Sequence, residues 1–190
     1  MDTKAIAITA VFTALTVALS RFIVPAPYFP FVFYEIWEIP IVAVFLFLNP
    51  KYGFSILLLN TVVSFAFFSA LSNPGLNPIY GIVACSSMLC GVLLASKLNR
   101  IIAGENTQQL FQRKYLVFST ALGIVFRVIV MTGFIYATSV WILGIPEPIV
   151  ITGMLPFIAV FNVTLPLYTI PFGYLIAKTL GKTLKTTGKI

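Results

Sequence analysis

The sequence contains no histidine, and only twelve Lys and Arg and five Asp and Glu occur among its 190 residues. Histidine is the most frequent general acid-base group and a common metal ligand, so its absence argues against both roles. Cys85 and Cys90 lie five positions apart in one apolar segment, and a helix would direct them to different faces. A phosphate-binding loop of the form G-x-x-x-x-G-K-[ST] is also absent. We therefore expect no enzyme activity, no metal or resident cofactor, and no ATP hydrolysis by this chain.

Most of the sequence consists of long apolar runs. Apolar residues account for 59% and charged residues for 9% of the chain, against about 45–50% and about 25% in soluble domains. A helix needs about 20 residues to cross ~30 Å of hydrocarbon. The sequence predicts an all-α membrane protein with one integral membrane domain, and its six transmembrane helices are expected at about 5–24, 39–49, 52–71, 79–96, 115–143 and 152–177.

The charges predict the orientation of this bundle. Cytoplasmic loops of membrane proteins are rich in Lys and Arg, and threading six spans places most cations of this chain on one side. We therefore expect cytoplasmic termini in a plasma or inner membrane, a cytoplasmic loop at 97–114 and an external lid loop at 25–38. The net charge of +7 then reflects topology and contacts with anionic lipids, not nucleic acid. The cations predicted inside are Lys4, Lys51, Lys97, Arg100, Arg113, Lys114, Lys178, Lys182, Lys185 and Lys189.

The first span carries Ala10, Ala14 and Ala18 at intervals of four residues. Residues with this spacing share one helix face. Small side chains allow membrane helices to approach closely, which is a main source of their association in lipid. The pattern fits packing against the other five helices as well as docking of a separate membrane protein, and the sequence leaves both interpretations open.

Arg127 lies deep in the fifth span, ~19 Å of helix from its cytoplasmic end. A cation at such depth costs at least ~2.5–3.5 kcal/mol, so it must face a partner or a hydrated cavity. Glu35, Glu38 and an anionic or carbonyl group of a ligand are the candidate partners. A structural Arg–Glu pair and a ligand contact both remain possible. Asn162, in the outer half of the last span, exposes amide donors and an acceptor that lipid cannot satisfy.

The external lid loop places aromatic side chains, among them Tyr34 and Trp37, around Glu35 and Glu38. Aromatic residues are enriched at membrane interfaces, which is one explanation. The prolines of this loop stiffen it, and a stiff aromatic loop also suits a lid that stacks on a planar ligand.

These residues together resemble the S components of energy-coupling factor (ECF) vitamin transporters. The alanine stripe is similar to the small-residue motif of their first helix, and the run 35–40, Glu-Ile-Trp-Glu-Ile-Pro, looks like the start of their second helix. Lys51-Tyr52-Gly53 resembles their turn between helices two and three. The segments 127–131 and 161–162 resemble helices five and six of the riboflavin-binding branch.

The resemblance implies a substrate-binding subunit that does not itself bind or hydrolyse ATP. Such a protein binds a vitamin outside, with riboflavin as the first candidate here, and docks on a coupling transmembrane subunit that carries two ATP-binding subunits. Ala10, Ala14 and Ala18 would contact that partner. The implied ligand-binding residues are Tyr34, Glu35, Trp37, Glu38, Arg127 and Asn162.

Two positions depart from the riboflavin-binding branch and leave the vitamin open. An Asn-Tyr pair of that branch corresponds to Ile135-Tyr136 here, and a Lys one turn after the helix-six Asn corresponds to Leu165. Two other functions also remain as alternatives. One is a membrane scaffold, sensor or assembly factor without a ligand cavity. The other is a stand-alone secondary carrier, against which stand the expected lack of buried carboxylates and the lack of a detectable inverted repeat.

Overall fold

The computed structural model of the protein describes residues 3–68, 76–103 and 113–186, and these residues are mostly helical. Two π-helical segments are present, at Thr138–Ile142 and at Val150–Met154. The elements in chain order are α1 (Thr3–Leu19), β1 (Ile23–Ala26), β2 (Phe29–Glu35), α2 (Glu38–Phe47), α3 (Pro50–Phe68), α4 (Leu76–Ala103), α5 (Arg113–Ala137), α6 (Glu147–Ile149) and α7 (Leu155–Thr186).

The sequence predicts an all-α protein, and the described residues are mostly helical, with the strands β1 and β2 as the departure. A helix occupies most of each predicted span. Helix α4 continues to Ala103, so the predicted cytoplasmic loop 97–114 starts later than expected. The rest of that loop, residues 104–112, and positions 69–71 of the predicted third span lie outside the described residues. Within the described ranges, three helical stretches are long and apolar enough to cross a membrane: Pro78–Ile101, Arg113–Ile142 and Glu147–Thr183. Six crossings and their orientation stay a prediction.

The outer surface of the bundle is apolar along several helices. Val117 and Ile129 on α5 and Leu175 on α7 are more than half exposed. Contiguous apolar surface of this kind is rare on proteins surrounded by water. The exterior of the bundle therefore suits a lipid environment.

Helix α2 forms the centre of the core. It contacts α1, α3 and α7, and its residues Ile41 to Val44 are completely buried. Ten residues span only ~15 Å, about half of a hydrocarbon layer. An incomplete crossing is tolerated where protein covers the ends of the helix. The short second span is thus a helix enclosed by its neighbours.

Two glycines allow the helices around this core to approach closely. A side chain at Gly173 of α7 would begin 2.6 Å from Val42 Cγ1 of α2. A side chain at Gly91 of α4 would begin 2.5 Å from the carbonyl oxygen of Leu122 on α5. Any larger residue at either position would push the two helices apart.

The segment between α1 and α2 differs from the predicted lid loop. The first helix ends at Leu19, and the following residues form an antiparallel hairpin in which Ile23 lies opposite Glu35 and Ala26 opposite Phe29. Prolines such as Pro25 stop a helix, whereas the aromatic and β-branched residues of β2 favour a strand. A lone two-stranded hairpin is marginally stable in water, so this hairpin depends on its contacts with α7.

Candidate functional site

Hydrogen bonds hold the hairpin against α7. The Tyr34 hydroxyl lies 3.0 Å from Thr164 Oγ1 and 2.7 Å from the Tyr28 hydroxyl. The Tyr168 hydroxyl donates to the backbone carbonyl of Glu35 over 2.6 Å. These bonds fix the C-terminal end of β2 relative to the middle of α7.

Aromatic packing reinforces the same contact. The rings of Phe29 and Phe157 stack with their centroids 5.5 Å apart and their planes inclined by 5°. The ring of Tyr34 packs against that of Phe161 at 5.3 Å. Each such pair adds about 0.5–1.5 kcal/mol beyond the area that it buries. The hairpin therefore covers the adjoining end of the bundle in a defined position.

A cavity of about 250 Å³ lies between the hairpin and helices α2, α4, α5 and α7. This volume is slightly below the ~300–1,000 Å³ that is usual for small-molecule sites. Aromatic and aliphatic side chains form most of its wall, and a few polar groups converge on it. Its lining residues are Phe29, Val32, Phe33, Glu35, Trp37, Glu38, Tyr80, Gly81, Ala84, Arg127, Met131, Ile135, Met154, Ile158, Phe161, Asn162 and Leu165.

A buried polar cluster of Arg127, Glu38 and Asn162 forms one side of this cavity. Arg127 Nη1 donates to Glu38 Oε2 over 2.6 Å, and Arg127 Nε donates to Asn162 Oδ1 over 3.0 Å. The Asn162 amide in turn donates to the carbonyl of Ile158 over 2.9 Å. Arg127, Glu38 and Asn162 are 3%, 2% and 1% exposed. The expectation from the sequence that the chain has no buried carboxylate is therefore wrong, because the packing of the helices encloses Glu38 at the start of α2. Helices α5, α2 and α7 are thus joined by one charged network.

The ion pair does not use all the hydrogen-bonding capacity of its members. Among the described residues, Arg127 Nη2 and Glu38 Oε1 have no hydrogen-bond partner. Neither atom is among the fully enclosed polar atoms that lack a partner in the described part of the chain. Both belong to residues that line the cavity, so a polar ligand there can satisfy them. The structural Arg–Glu pair considered from the sequence is therefore formed, and the same pair borders a cavity.

Glu35 and Trp37 lie beside this cluster. Trp37 Nε1 donates a hydrogen bond to Glu35 Oε2. A side chain at Gly81 of α4 would begin 3.5 Å from the Trp37 ring, so the ring lies over the helix backbone. Burial, reinforced by the nearby Glu38 carboxylate, raises the pKa of Glu35 to about 6 from its ordinary value of 4.5, against the opposing effects of Trp37 and Arg127.

The raised pKa of Glu35 predicts a pH-dependent stability. A folded-state pKa above the unfolded one stabilises the fold while the group is protonated. For this shift the contribution is about 2 kcal/mol below the unfolded pKa, and it is lost as the pH rises through about 6. We expect Glu35→Gln to flatten the dependence of melting temperature between pH 5 and 7.5. An equal pH dependence in the variant and the wild type would contradict this assignment.

The structure brings five of the six predicted ligand-binding residues to the cavity: Glu35, Trp37, Glu38, Arg127 and Asn162. Tyr34 is not among the lining residues, and its hydroxyl is engaged with Tyr28 and Thr164. Binding of a ligand by these side chains stays a prediction.

Sequence reasoning did not single out Tyr80. This residue lines the cavity from α4, and its hydroxyl donates to Thr138 Oγ1 of the first π-helical segment over 2.8 Å. Its ring meets that of Phe134 edge-on at 5.5 Å. In the sequence Tyr80 stands near the start of an apolar span, where an interfacial tyrosine needs no further explanation. No signal in the sequence distinguishes it from such a residue.

Ala10, Ala14 and Ala18 are exposed on the outer face of α1. Between them lie Val11 and Leu15, which are 65% and 43% exposed. The other side of α1 packs against α2 and α3. The stripe is thus uncovered by the described part of this chain, and its role in docking a partner stays a prediction.

Comparisons with known proteins define the fold. No protein-family model matches the sequence, and no curated protein matches it. The structure is similar to the solved S component of a bacterial ECF transporter, with a TM-score of 0.77, 17% sequence identity, and coverage of 97% of this chain and 99% of that chain. The likeness extends over the whole bundle, and the chain therefore has the fold of an ECF-transporter S component.

Proposed function

We propose that this protein is the substrate-binding S component of an ECF-type ABC importer. It captures a vitamin or cofactor precursor outside the cell and delivers it inward together with an ATP-driven module. The observation that carries this proposal is the cavity under the hairpin, which combines aromatic walls with the buried cluster of Arg127, Glu38 and Asn162. The fold shared with a solved S component supports it.

The proposed partners are a coupling transmembrane subunit and two ATP-binding subunits. The exposed alanine face of α1 is the proposed contact with the coupling subunit, because small residues let a second helix approach its backbone closely. Both termini lie in the cytoplasm in this proposal, and the hairpin faces outward. The orientation is supported by Lys4, Lys51, Lys97 and Lys178, which flank alternate helix ends.

Riboflavin is the first ligand to test. Flat ring systems gain from stacking on aromatic side chains, and Phe29, Trp37, Tyr80 and Phe161 supply such rings. The polar cluster borders the same cavity and can orient a heterocycle by hydrogen bonds.

The direct test is to purify the protein in mild detergent from cells grown in rich medium and to identify what it releases on denaturation. We expect about one molecule of a vitamin or precursor per chain, measured by absorbance and mass spectrometry. Yellow protein would identify riboflavin, and another vitamin would keep the proposed function with a different substrate. No bound molecule, and no thermal shift with a panel of vitamins, would contradict the proposed function.

A matched pair of α4 variants controls this test. Gly81→Leu places a larger side chain at a cavity-lining position, whereas Cys90→Leu adds similar bulk at an exposed position of the same helix. We expect the first variant to lose the released molecule and the second to keep it, with similar melting temperatures of the empty proteins. Equal release from both variants would show that the molecule binds elsewhere.

A further inference from the structure

The charged residues that line the cavity do not balance. Glu35 and Glu38 are carboxylates, and Arg127 is the one cation among the lining residues that the structure describes. The contact of 2.6 Å between Arg127 Nη1 and Glu38 Oε2 pairs that cation within the protein. An anionic ligand would therefore meet the unbalanced carboxylate of Glu35 and not a free guanidinium. Like charges placed close together in such a site strongly disfavour binding.

The unused polar atoms define a pattern of donors and acceptors. Among the described residues, Glu38 Oε1 and Glu35 Oε1 accept no hydrogen bond, although Glu38 is only 2% exposed. Arg127 Nη2 likewise makes none, and one N–H of the Asn162 amide remains unused. Ionised carboxylates only accept hydrogen bonds, whereas guanidinium groups only donate them. A ligand that satisfies this side of the cavity must carry both a donor and an acceptor.

The walls set the shape of such a ligand. The rings of Phe29, Phe33, Trp37, Tyr80 and Phe161 form much of the remaining wall, together with aliphatic side chains. Aromatic rings bind planar unsaturated molecules by stacking and by edge contacts. A nitrogen heterocycle combines the flat shape with neighbouring N–H and carbonyl or ring-nitrogen groups.

We propose that the cavity takes a nitrogen heterocycle without net negative charge and rejects ligands that carry a carboxylate. An N–H group of the heterocycle faces the carboxylates of Glu38 and Glu35, and an acceptor faces Arg127. Glu38 thereby prevents Arg127 from acting as an anion-binding residue. This inference rests on the proposed function, because it names the substrate class of the same site.

The test compares probes of different charge on the full chain purified in mild detergent and freed of bound molecules. Riboflavin and nicotinamide are neutral, thiamine is cationic, and nicotinate and biotin are anionic. Dissociation constants come from calorimetry. We expect the tightest probe to be neutral or cationic, and nicotinate and biotin to bind at least about 100-fold more weakly than that probe, the scale of a like-charge penalty.

Two variants change the charge without changing the shape. Glu38→Gln frees Arg127 from its ion pair, and we expect it to weaken the best probe by about tenfold or more while strengthening nicotinate. Glu35→Gln removes a negative charge and leaves the Arg127–Glu38 pair intact, so it tests the inference even if Glu38→Gln folds poorly. We expect Glu35→Gln to reduce the difference in dissociation constant between the neutral and the anionic probes. Glu147→Gln, at an exposed carboxylate that does not line the cavity, should change nothing.

The outcomes separate this inference from the proposed function. The inference is supported if a neutral or cationic probe binds most tightly to the wild type and if its advantage in dissociation constant over the anionic probes is smaller in Glu35→Gln. Tightest binding of nicotinate or biotin to the wild type overturns the inference but keeps the proposed function. An equal ratio of dissociation constants between anionic and neutral probes in Glu35→Gln and in the wild type also overturns the inference. Failure of every probe to bind overturns the inference, and it overturns the proposed function as well if no molecule is released on denaturation and no vitamin of the panel gives a thermal shift.

Discussion

Arg127→Ala is expected to destabilise the folded protein by about 3–5 kcal/mol, because it leaves the buried Glu38 carboxylate without its counter-ion. The same change removes the donor to Asn162 Oδ1. We therefore expect a large loss of stability in addition to any loss of ligand affinity. The free energy of unfolding in detergent, measured by denaturant titration without ligand, gives the size of this effect.

The double variant Arg127→Met with Glu38→Met distinguishes an unpaired charge from lost packing. Replacing both members of a buried ion pair by apolar residues of similar size is often neutral or stabilising. We expect the double variant to recover most of the stability and to remain within about 1–3 kcal/mol of the wild type, since Asn162 Oδ1 still lacks its donor. Arg113→Ala, at an exposed arginine of the same helix, is the matched control. A double variant as unstable as Arg127→Ala would refute the charge explanation.

Ala14→Trp is expected to abolish uptake and assembly with the coupling subunit while the dissociation constant of the ligand changes less than about twofold. Ala14 is exposed in the middle of the alanine face, so an indole there projects outward and keeps a second helix at a distance. The cavity residues lie on other elements and are undisturbed. Uptake in cells, co-purification of the subunits and binding by the purified chain are the three measurements.

Ala121→Trp provides the control for this prediction. Ala121 is an exposed alanine on α5, so the change adds the same bulk to a different outer face. We expect it to preserve uptake and assembly. Parallel loss of binding and uptake in Ala14→Trp would instead mean that the indole disturbs the fold of the chain. Normal uptake by Ala14→Trp would remove α1 from the proposed interface.

The helices could be predicted from the sequence because each is an apolar run bounded by charges, prolines or asparagines. The hairpin could not, because its first strand is a four-residue apolar stretch separated from α1 only by residues 20–22, and a proline within it, Pro25, predicts a loop. The residues of β1 form a strand because they pair with β2. Strand β2 is in turn held in place by contacts with Thr164, Phe157 and Tyr168 of α7. Contacts between segments more than a hundred residues apart along the chain leave no local periodicity to detect.

The charged residues of the candidate site could be predicted from the sequence, whereas its apolar lining residues could not. Arg127 and Glu38 stand out because a charge within or beside an apolar run requires a partner. Tyr80 and Met154 contribute to the cavity wall as ordinary apolar-run residues. Tyr80 and Met154 line the cavity because of how α4 and the second π-helical segment pack in the bundle. No local sequence pattern predicts that packing. Tyr34 shows the converse, since an aromatic residue in the right segment proved to hold the hairpin and not to line the cavity.

The sequence by itself determined the apolar helical class of this protein, the approximate helix limits and the need of Arg127 for a partner. These properties follow from local hydrophobicity and from the cost of a single charge in an apolar medium. Tertiary structure alone decided that Glu38 is that partner, that Asn162 joins the pair and that a cavity remains beside them. The reason is geometric: whether a buried charge is fully paired or still able to bind a ligand depends on distances of a few ångströms between helices. Only the packing of α2, α5 and α7 sets those distances.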